Sequence, residues 1–305
     1  MKRILKFTVL FFCFFSVINC NKKEQKSESK EVQTIIKGKA SIIVDETLVP
    51  IIEDQIAVFE SYYEAKLSIV AKSELEAINS LVKQEYGMAV LTRELSASEK
   101  KIFEQKKIIP RTTKIAIDGI AFITNQNNKD TLIALKEVIA FMNGKSFTGI
   151  KGLVFDNPNS STVRYINTLA NAKNSRIEDI YSFKTNDEVI KFVAENEGMI
   201  GVIGVNWLSQ PSPSMKKFVD QVKTLAVKSL DGKDYYHPTQ NNLAEGTYPL
   251  ARDLYIINCQ GNAGLGMGFA SFVAGDIGQR IILKSGLLPV SIPGRRFNIR
   301  KGIIN

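Results

Sequence analysis

Along most of this chain, short apolar runs alternate with stretches in which apolar residues recur at helical spacing. Residues 39–44 are dense in Ile and Val, and Pro50 then stands in the first turn of a pattern that carries Ile51, Ile52, Ile56, Phe59 and Tyr63 at helical spacing. A strand, a turn and a helix are predicted in that order. Ser73 with Glu76, Ser96 with Glu99 and Thr185 with Glu188 each spell a capping box before a helically periodic segment. Between them, residues 87–91, 115–123, 153–155, 199–205 and 254–257 are apolar on both faces, as buried strands are. Such runs, alternating with helices, predict an α/β fold with a largely parallel sheet covered by helices. Gly261, Gly264, Gly266 and Gly268 punctuate the chain before a final helix through residues 269–273 and 277–283, which Gly286 closes. No internal repeat of solenoid length is present.

The first 33 residues break from this pattern. Lys2 and Arg3 precede an apolar run over residues 7–18, shorter than the roughly 20 residues of a membrane span, and the whole reads as an export signal. Val17-Ile18-Asn19-Cys20 resembles a bacterial lipobox, which would make Cys20 the lipid-modified first residue of the mature chain. Asn19 departs from the small residue usual there, so an ordinary secretory signal or a short anchor is the other reading. The expected organisation is a signal peptide at residues 1–19, a flexible Lys-, Glu- and Ser-rich tether at 20–33 and a folded body from residue 34.

Export changes what the cysteines and the charge mean. Cys13 leaves with the signal and Cys20 is acylated, so Cys259 remains alone in the body as a small buried hydrophobe with no disulfide partner. Of the net charge of +9, residues 1–30 hold +5 from seven basic and two acidic side chains, which leaves +4 for residues 31–305. That is mildly basic and not the footprint of a nucleic-acid binder. One His and three Cys are too few soft ligands for a zinc site. No Gly-x-Ser-x-Gly elbow and no carboxylate cluster with metal-ligand spacing is present, so no catalytic residue, metal or cofactor is expected. Gly198, Gly201 and Gly204 fall within a strand run and not after one, which argues against a nucleotide loop. His237 is expected exposed in a loop, and the basic tail with Arg295, Arg296, Arg300 and Lys301 is read as solvated.

In open α/β sheets, ligands sit beyond the carboxyl ends of strands, where helix N-termini aim unpaired N–H groups and about half a positive charge. Three turns there carry hydroxyls. Residues 156–162, Asp-Asn-Pro-Asn-Ser-Ser-Thr, separate a strand from a helix starting near Val163. Asn159 or Ser160 would cap that helix, while Ser161 and Thr162 would offer hydroxyls and main-chain donors to a tetrahedral oxyanion. The segment reads equally as a plain N-cap. Asp45-Glu46-Thr47 adds a hydroxyl, and Thr92-Arg93-Glu94 adds another with a fixed cation, or else is a solvated helix start with local ion pairing.

The order of these segments is itself informative. Asp45-Glu46-Thr47 with Pro50 is followed by Met88-Ala89-Val90-Leu91-Thr92-Arg93-Glu94-Leu95, then Ile117-Asp118-Gly119-Ile120-Ala121 and Asn159-Ser160-Ser161-Thr162. Gly246-Thr247-Tyr248-Pro249-Leu250-Ala251-Arg252 comes next, then Gly278-Gln279 and Gly286-Leu287-Leu288-Pro289. The succession resembles the periplasmic phosphate-binding proteins of ABC phosphate importers over most of residues 38–290. Its most specific matches are Asp-Gly-Ile-Ala and Tyr-Pro-Leu-x-Arg. The resemblance implies a two-lobed type II binding-protein fold, each lobe a mixed, mostly parallel sheet flanked by helices, with crossovers near residues 118–122 and 248–254. Lobe one would comprise residues 34–120 and 250–305, and lobe two residues 121–249.

The same resemblance implies inorganic phosphate or a similar tetrahedral oxyanion held in the interlobe cleft by Glu46, Thr47, Leu48, Thr92, Arg93, Asn159, Ser160, Ser161 and Thr162. Asp45, Asp118 and Arg164 are secondary candidates. Asp118-Gly119 would form a hinge turn, and Tyr248 and Arg252 would line or brace the cleft, Arg252 as an interlobe ion pair. The implied function is that of an exported, lipid-anchored monomer, periplasmic or on the cell surface, which delivers phosphate to an ABC permease in the inner membrane without covalent chemistry. A lipoprotein using the scaffold as a sensor, adhesin or accessory protein for another ligand is the alternative.

Two departures from the family's pattern bear on the ligand. Asp156 and Pro158 stand where the family usually carries Arg and Asp, so Arg93 or Arg164 would have to supply the cation. Asp45-Glu46 stands where small residues are usual, and a carboxylate there repels an oxyanion unless the ligand has a proton to donate. If Glu46 accepts that hydrogen bond, sulfate is rejected. Alternatively, Asp45 and Glu46 only favour the adjoining helix N-terminus.

Overall fold

The computed structural model describes residues 33–145, 149–171 and 179–292. The expected export signal, Cys20 and the basic tail lie outside the described residues. The chain begins with β1 (Lys37–Asp45), a one-turn 3-10 helix (Glu46–Leu48), α1 (Val49–Tyr62), β2 (Glu64–Lys72), α2 (Glu74–Val82), β3 (Met88–Leu91) and α3 (Ala97–Gln105). The long β4 (Arg111–Asn125) leads to β5 (Leu132–Ala134), α4 (Leu135–Met142), β6 (Gly152–Phe155), α5 (Ser161–Ala170), β7 (Ile180–Ser182), α6 (Asn186–Glu195) and β8 (Met199–Gly204). Short elements follow: α7 (Asn206–Ser209), α8 (Lys216–Val219), β9 (Val222–Thr224), β10 (Ala226–Lys228), β11 (Tyr235–Tyr236) and α9 (Gln240–Ala244). The chain returns through β12 (Ala251–Asn258), α10 (Leu265–Ala274), α11 (Asp276–Lys284) and β13 (Leu288–Pro289).

The main sheet runs in the order β2-β1-β3-β12-β4-β8-β6-β7, with β13 and β9 also pairing with β4. Its outer ladders, β1 with β2 and β3, and β6 with β7 and β8, are parallel. The ladders that β4 and β12 make in the middle are antiparallel. β4 joins the two halves of the sheet because its partners change along its length. Residues 111–119 pair with β12, and residues 120–125 pair with β8 and β9.

Consecutive apolar positions in the strands follow from burial on both faces. Ile42 and Val44 pack with Ile51, Ile52 and Phe59 of α1 and with Phe269 of α10, whereas Ile43 faces Ala77, Ile78 and Leu81 of α2 and Phe103 of α3. The other half repeats the arrangement, with Phe122 and Val202 in one apolar cluster and Ile123 and Ile203 in another.

Local rules hold at most helix starts. Ser73 with Glu76 and Ser96 with Glu99 form complete capping boxes. Thr185 accepts from the Glu188 N–H, but the Glu188 carboxylate takes the N–H of Lys184, one residue earlier than a box requires. Two expectations are corrected. Asp118-Gly119 is no hinge turn, since both residues lie inside β4 with Arg252 and Ala251 as their register partners. The final helix is two helices that part at Gly275, whose backbone is extended. A Cβ on Gly278 would lie 2.4 Å from the carbonyl oxygen of Val273, so only glycine lets α11 start so close to the end of α10.

Candidate functional site

Two helix starts from distant parts of the chain meet at the centre of the molecule. The Asp45 carboxylate caps the 3-10 turn, where its Oδ1 accepts from the Thr47 N–H at 2.9 Å and the Thr47 hydroxyl at 2.8 Å. Ser160 caps α5 by accepting from the Val163 N–H at 3.2 Å. With that role taken by Ser160, the buried Ser161 hydroxyl is free of capping, and its Oγ lies 3.1 Å from Thr47 Oγ1 although 114 residues separate them. Helix α5 therefore starts at Ser161 and not at Val163.

Arg252 joins the two hydroxyls. Its Nη1 donates to Ser161 Oγ at 2.9 Å and its Nη2 to Thr47 Oγ1 at 3.3 Å, while Nε donates to Asp118 Oδ2 at 3.0 Å. The side chain is 2 % exposed and Asp118 is fully buried. From α7, Trp207 Nε1 and Asn206 Nδ2 donate to the Thr47 carbonyl at 2.8 and 3.2 Å. Tyr248 braces the neighbouring backbone by donating its hydroxyl to the Ile120 carbonyl at 2.6 Å.

A second network adjoins the first. Glu74, the buried first residue of α2, accepts from the Thr92 hydroxyl at 2.7 Å, from Arg93 Nε at 2.8 Å and from Arg164 Nη2 at 3.1 Å. Arg164 Nη2 also donates to Thr92 Oγ1 at 3.3 Å, which ties α5 to the end of β3. Arg93 spends its remaining donors on Glu99, at 2.8 and 2.9 Å, and on the Glu94 carbonyl. A groove of about 410 Å³ opens beside this network, lined by Glu74, Leu75, Arg93, Ser160, Val163 and Arg164 among others.

Of the residues the sequence singles out, the structure brings Thr47 and Ser161 together, and Thr92 accepts from Arg164, three positions beyond Ser161 on α5. Thr162 is also buried here, and its hydroxyl has no hydrogen-bond partner. Leu48 buries its side chain in the apolar cluster under β1, so any contact it makes would be through its backbone. Asn159 is exposed, its N–H turned back to Asn157 Oδ1 at 3.0 Å. Arg93 is spent on carboxylates and does not supply the cation next to the paired hydroxyls. Arg252 does, and the sequence reading had it lining or bracing the cleft, as an ion pair and not as the ligand's cation. Its Tyr-Pro-Leu-x-Arg motif marked the position, but only the β12–β4 register places it opposite Asp118.

The site is rich in carboxylates. Asp156 is buried and accepts from Ser160 Oγ at 2.5 Å and from Asn186 Nδ2 at 3.2 Å. Burial pushes Asp156 up to about 7, and burial followed by the nearby Asp156 and Asp45 charges pushes Glu46 up to about 7. Asp45 and Asp118 are raised by burial against the pull of Arg252. The bond from Arg93 holds Glu99 down at about 2. Asp45 Oδ2, Glu46 Oε1, Asp118 Oδ1 and Asn206 Oδ1 are buried without a partner. Among the described residues, no group of three or more His, Cys, Asp or Glu side chains is placed to hold a metal ion. Two hydroxyls, a fixed guanidinium and the first N–H groups of α5 suit a small oxyanion.

Comparison with known proteins agrees with this architecture. A family model described as a PBP superfamily domain matches residues 27–276. The chain belongs to the PBP superfamily. Within that superfamily, the phosphate-binding protein PstS of Pseudomonas aeruginosa is 22% identical over 281 residues, covering 84% of each chain. PstS of Staphylococcus aureus is 26% identical over 234 residues, covering 72% of this chain and 68% of its own. Among solved structures, a phosphate ABC transporter substrate-binding protein from Clostridium perfringens with bound phosphate aligns at TM-score 0.70 and 20% identity, over 83% of this chain and all of that one. An ABC-type phosphate transport receptor from Vibrio cholerae aligns at 0.60 and 18% identity over the same shares. The fold is that of the two-lobed type II periplasmic binding proteins.

Proposed function

We propose that this protein captures phosphate, or a like tetrahedral oxyanion, between two lobes made of residues 34–120 with 250–305 and residues 121–249, and delivers it to an ABC permease. It acts without covalent chemistry, as an exported monomer that Cys20 anchors to the membrane through lipid. The observation that carries the reading is the meeting of Thr47, Ser161 and Arg252, three donor-bearing side chains from separate stretches of chain. Thr162 and the N–H groups at the start of α5 complete the donor set, with Asp45 or Glu46 as the acceptor for a ligand that carries a proton.

The test is titration calorimetry with inorganic phosphate. Removing a hydrogen bond to a charged group costs about 1.5–3 kcal/mol, so Arg252→Ala should weaken phosphate roughly 10- to 150-fold. Sulfate should bind far more weakly than phosphate because it has no proton for the carboxylates. Unchanged affinity in Arg252→Ala would remove that residue from the site. A thermal-shift screen checks the ligand class, since phosphate at a hundred times its dissociation constant adds about 2.7 kcal/mol of apparent stability. No shift with phosphate would move the reading to a sensor, adhesin or accessory lipoprotein with another ligand.

A further inference from the structure

The charges around the paired hydroxyls do not balance. Arg252 is matched by Asp118, with Nη2 2.9 Å from Asp118 Oδ2. Arg93 and Arg164 are matched by Glu74 and Glu99. Asp45, Glu46 and Asp156 remain, and none of them is in an ion pair among the described residues. Asp45 and Glu46 belong to the Thr47 side, Asp156 to the Ser161 side. Asp45 Oδ2 and Glu46 Oε1 are moreover buried acceptors with no donor. A multiply charged anion entering here would meet three like charges shielded from water, where repulsion is strongest.

We propose that oxyanion binding at this site is coupled to proton uptake by Glu46 and Asp156, so that the protein takes the monobasic form of its ligand and loses affinity as the medium becomes alkaline. The inference rests on the oxyanion reading above and names the ligand's protonation state. Asp156 keeps its acceptor bonds from Ser160 and Asn186 in either form, but protonation removes its charge from the ligand's surroundings. Protonation gives Glu46 a donor to turn toward an anion's oxygen, and Asp45 Oδ2 can then accept from the ligand's own hydroxyl.

The charged groups facing this pair come from every neighbouring element. They are Asp45 on β1, Glu76 on α2 and Arg252 on β12, with Asp45 acting on both members of the pair. The carboxylates outnumber the guanidiniums. Burial first, then the charges of Asp156 and Asp45 on Glu46 and of Asp45 on Asp156, bring both groups to about 7, where a bound anion would readily draw protons onto them.

The experiment is calorimetric titration of the exported chain with inorganic phosphate at several pH values from 6 to 8.5, each in two buffers of different ionisation enthalpy. The difference in heat counts protons taken up per phosphate bound. The wild-type protein should take up more protons near pH 7.5 than Glu46→Gln/Asp156→Asn, by an amount approaching one for each carboxylate replaced. Its affinity should also fall more steeply with pH. Phosphate's own ionisation cancels where both proteins bind the same ionic form, which phosphorus NMR of the bound ligand establishes for each. Equal uptake and equal slope in the two proteins would overturn the inference while leaving the phosphate reading intact. Absence of phosphate binding by the wild type at every pH would overturn both. Circular dichroism checks that the double variant folds, and Glu46→Gln alone, at a half-buried position, gives the same comparison with one proton if it does not.

Discussion

Arg252 and Asp118 face each other across the β12–β4 ladder, and the guanidinium that Asp118 holds by Nε is the one that reaches Ser161 and Thr47. The pair lies where β4 changes partners. One buried ion pair therefore sits at the junction of the two halves of the sheet and presents the site's cation.

Breaking that pair from the acidic side is expected to be costly. Asp118→Asn leaves a buried guanidinium without its counter-charge, which destabilises by about 3–5 kcal/mol. Replacing both partners, as Asp118→Leu with Arg252→Met, should recover most of that stability and none of the phosphate binding. Denaturant unfolding of the three proteins measures the effect, and a single variant as stable as wild type would mean that the pair contributes little.

Glu74 fastens α5 to the end of β3 through Arg164 and Thr92. Glu74→Ala strands two guanidiniums that share it and should cost on the order of 3 kcal/mol. Because α5, which carries Arg164, and α2, which carries Glu74, flank opposite halves of the sheet, the loss should also loosen closure of the lobes proposed above. Small-angle scattering should then show a larger radius of gyration for the variant without phosphate, shrinking toward wild type when phosphate is added. Identical radii in both proteins would confine Glu74 to local packing.

The buried carboxylates give stability a defined slope with pH. Glu46 and Asp156 titrate at about 7 in the folded protein, against roughly 4 in an unfolded chain, and Asp45 and Asp118 shift in the same direction. Between about pH 4 and 7 the folded state thus holds more protons than the unfolded, and stability falls as pH rises through that window. Glu99, held down at about 2, acts oppositely and lower, contributing stability above about pH 4 that is lost as pH falls toward 2. Without oxyanion, the thermal midpoint should therefore peak at about pH 4 and decline toward about pH 7, with a shallower decline in Glu46→Gln. A midpoint climbing steadily from pH 5 to 8 would contradict this account.

Several expectations failed for a shared reason. Arg93 follows a hydroxyl at the end of a strand and looked like the ligand's cation, but nothing local revealed that Glu74, some 19 positions earlier, would claim it. Glu74 stands in the first turn of α2, where acidic residues are usual whatever they bind. Asp118-Gly119 carries a turn signature, yet pairing with β12 and β8 on either side holds the strand straight through it. The split at Gly275 was missed because apolar periodicity continues on both sides of it.

What the sequence determined by itself are the properties set within a few residues: the strand runs, the caps at Ser73, Ser96 and Thr185, the Pro50 helix start and, through ordered motifs, the family of the fold. These depend on backbone geometry and on side chains reaching three or four positions along the chain. Only the tertiary structure decided that Thr47 and Ser161 touch, that Arg252 and not Arg93 is the cation beside them, and that three unmatched carboxylates surround the pair. Such relationships arise where strands distant in the chain come into register, and a charge's partner is settled by which neighbours burial leaves within reach.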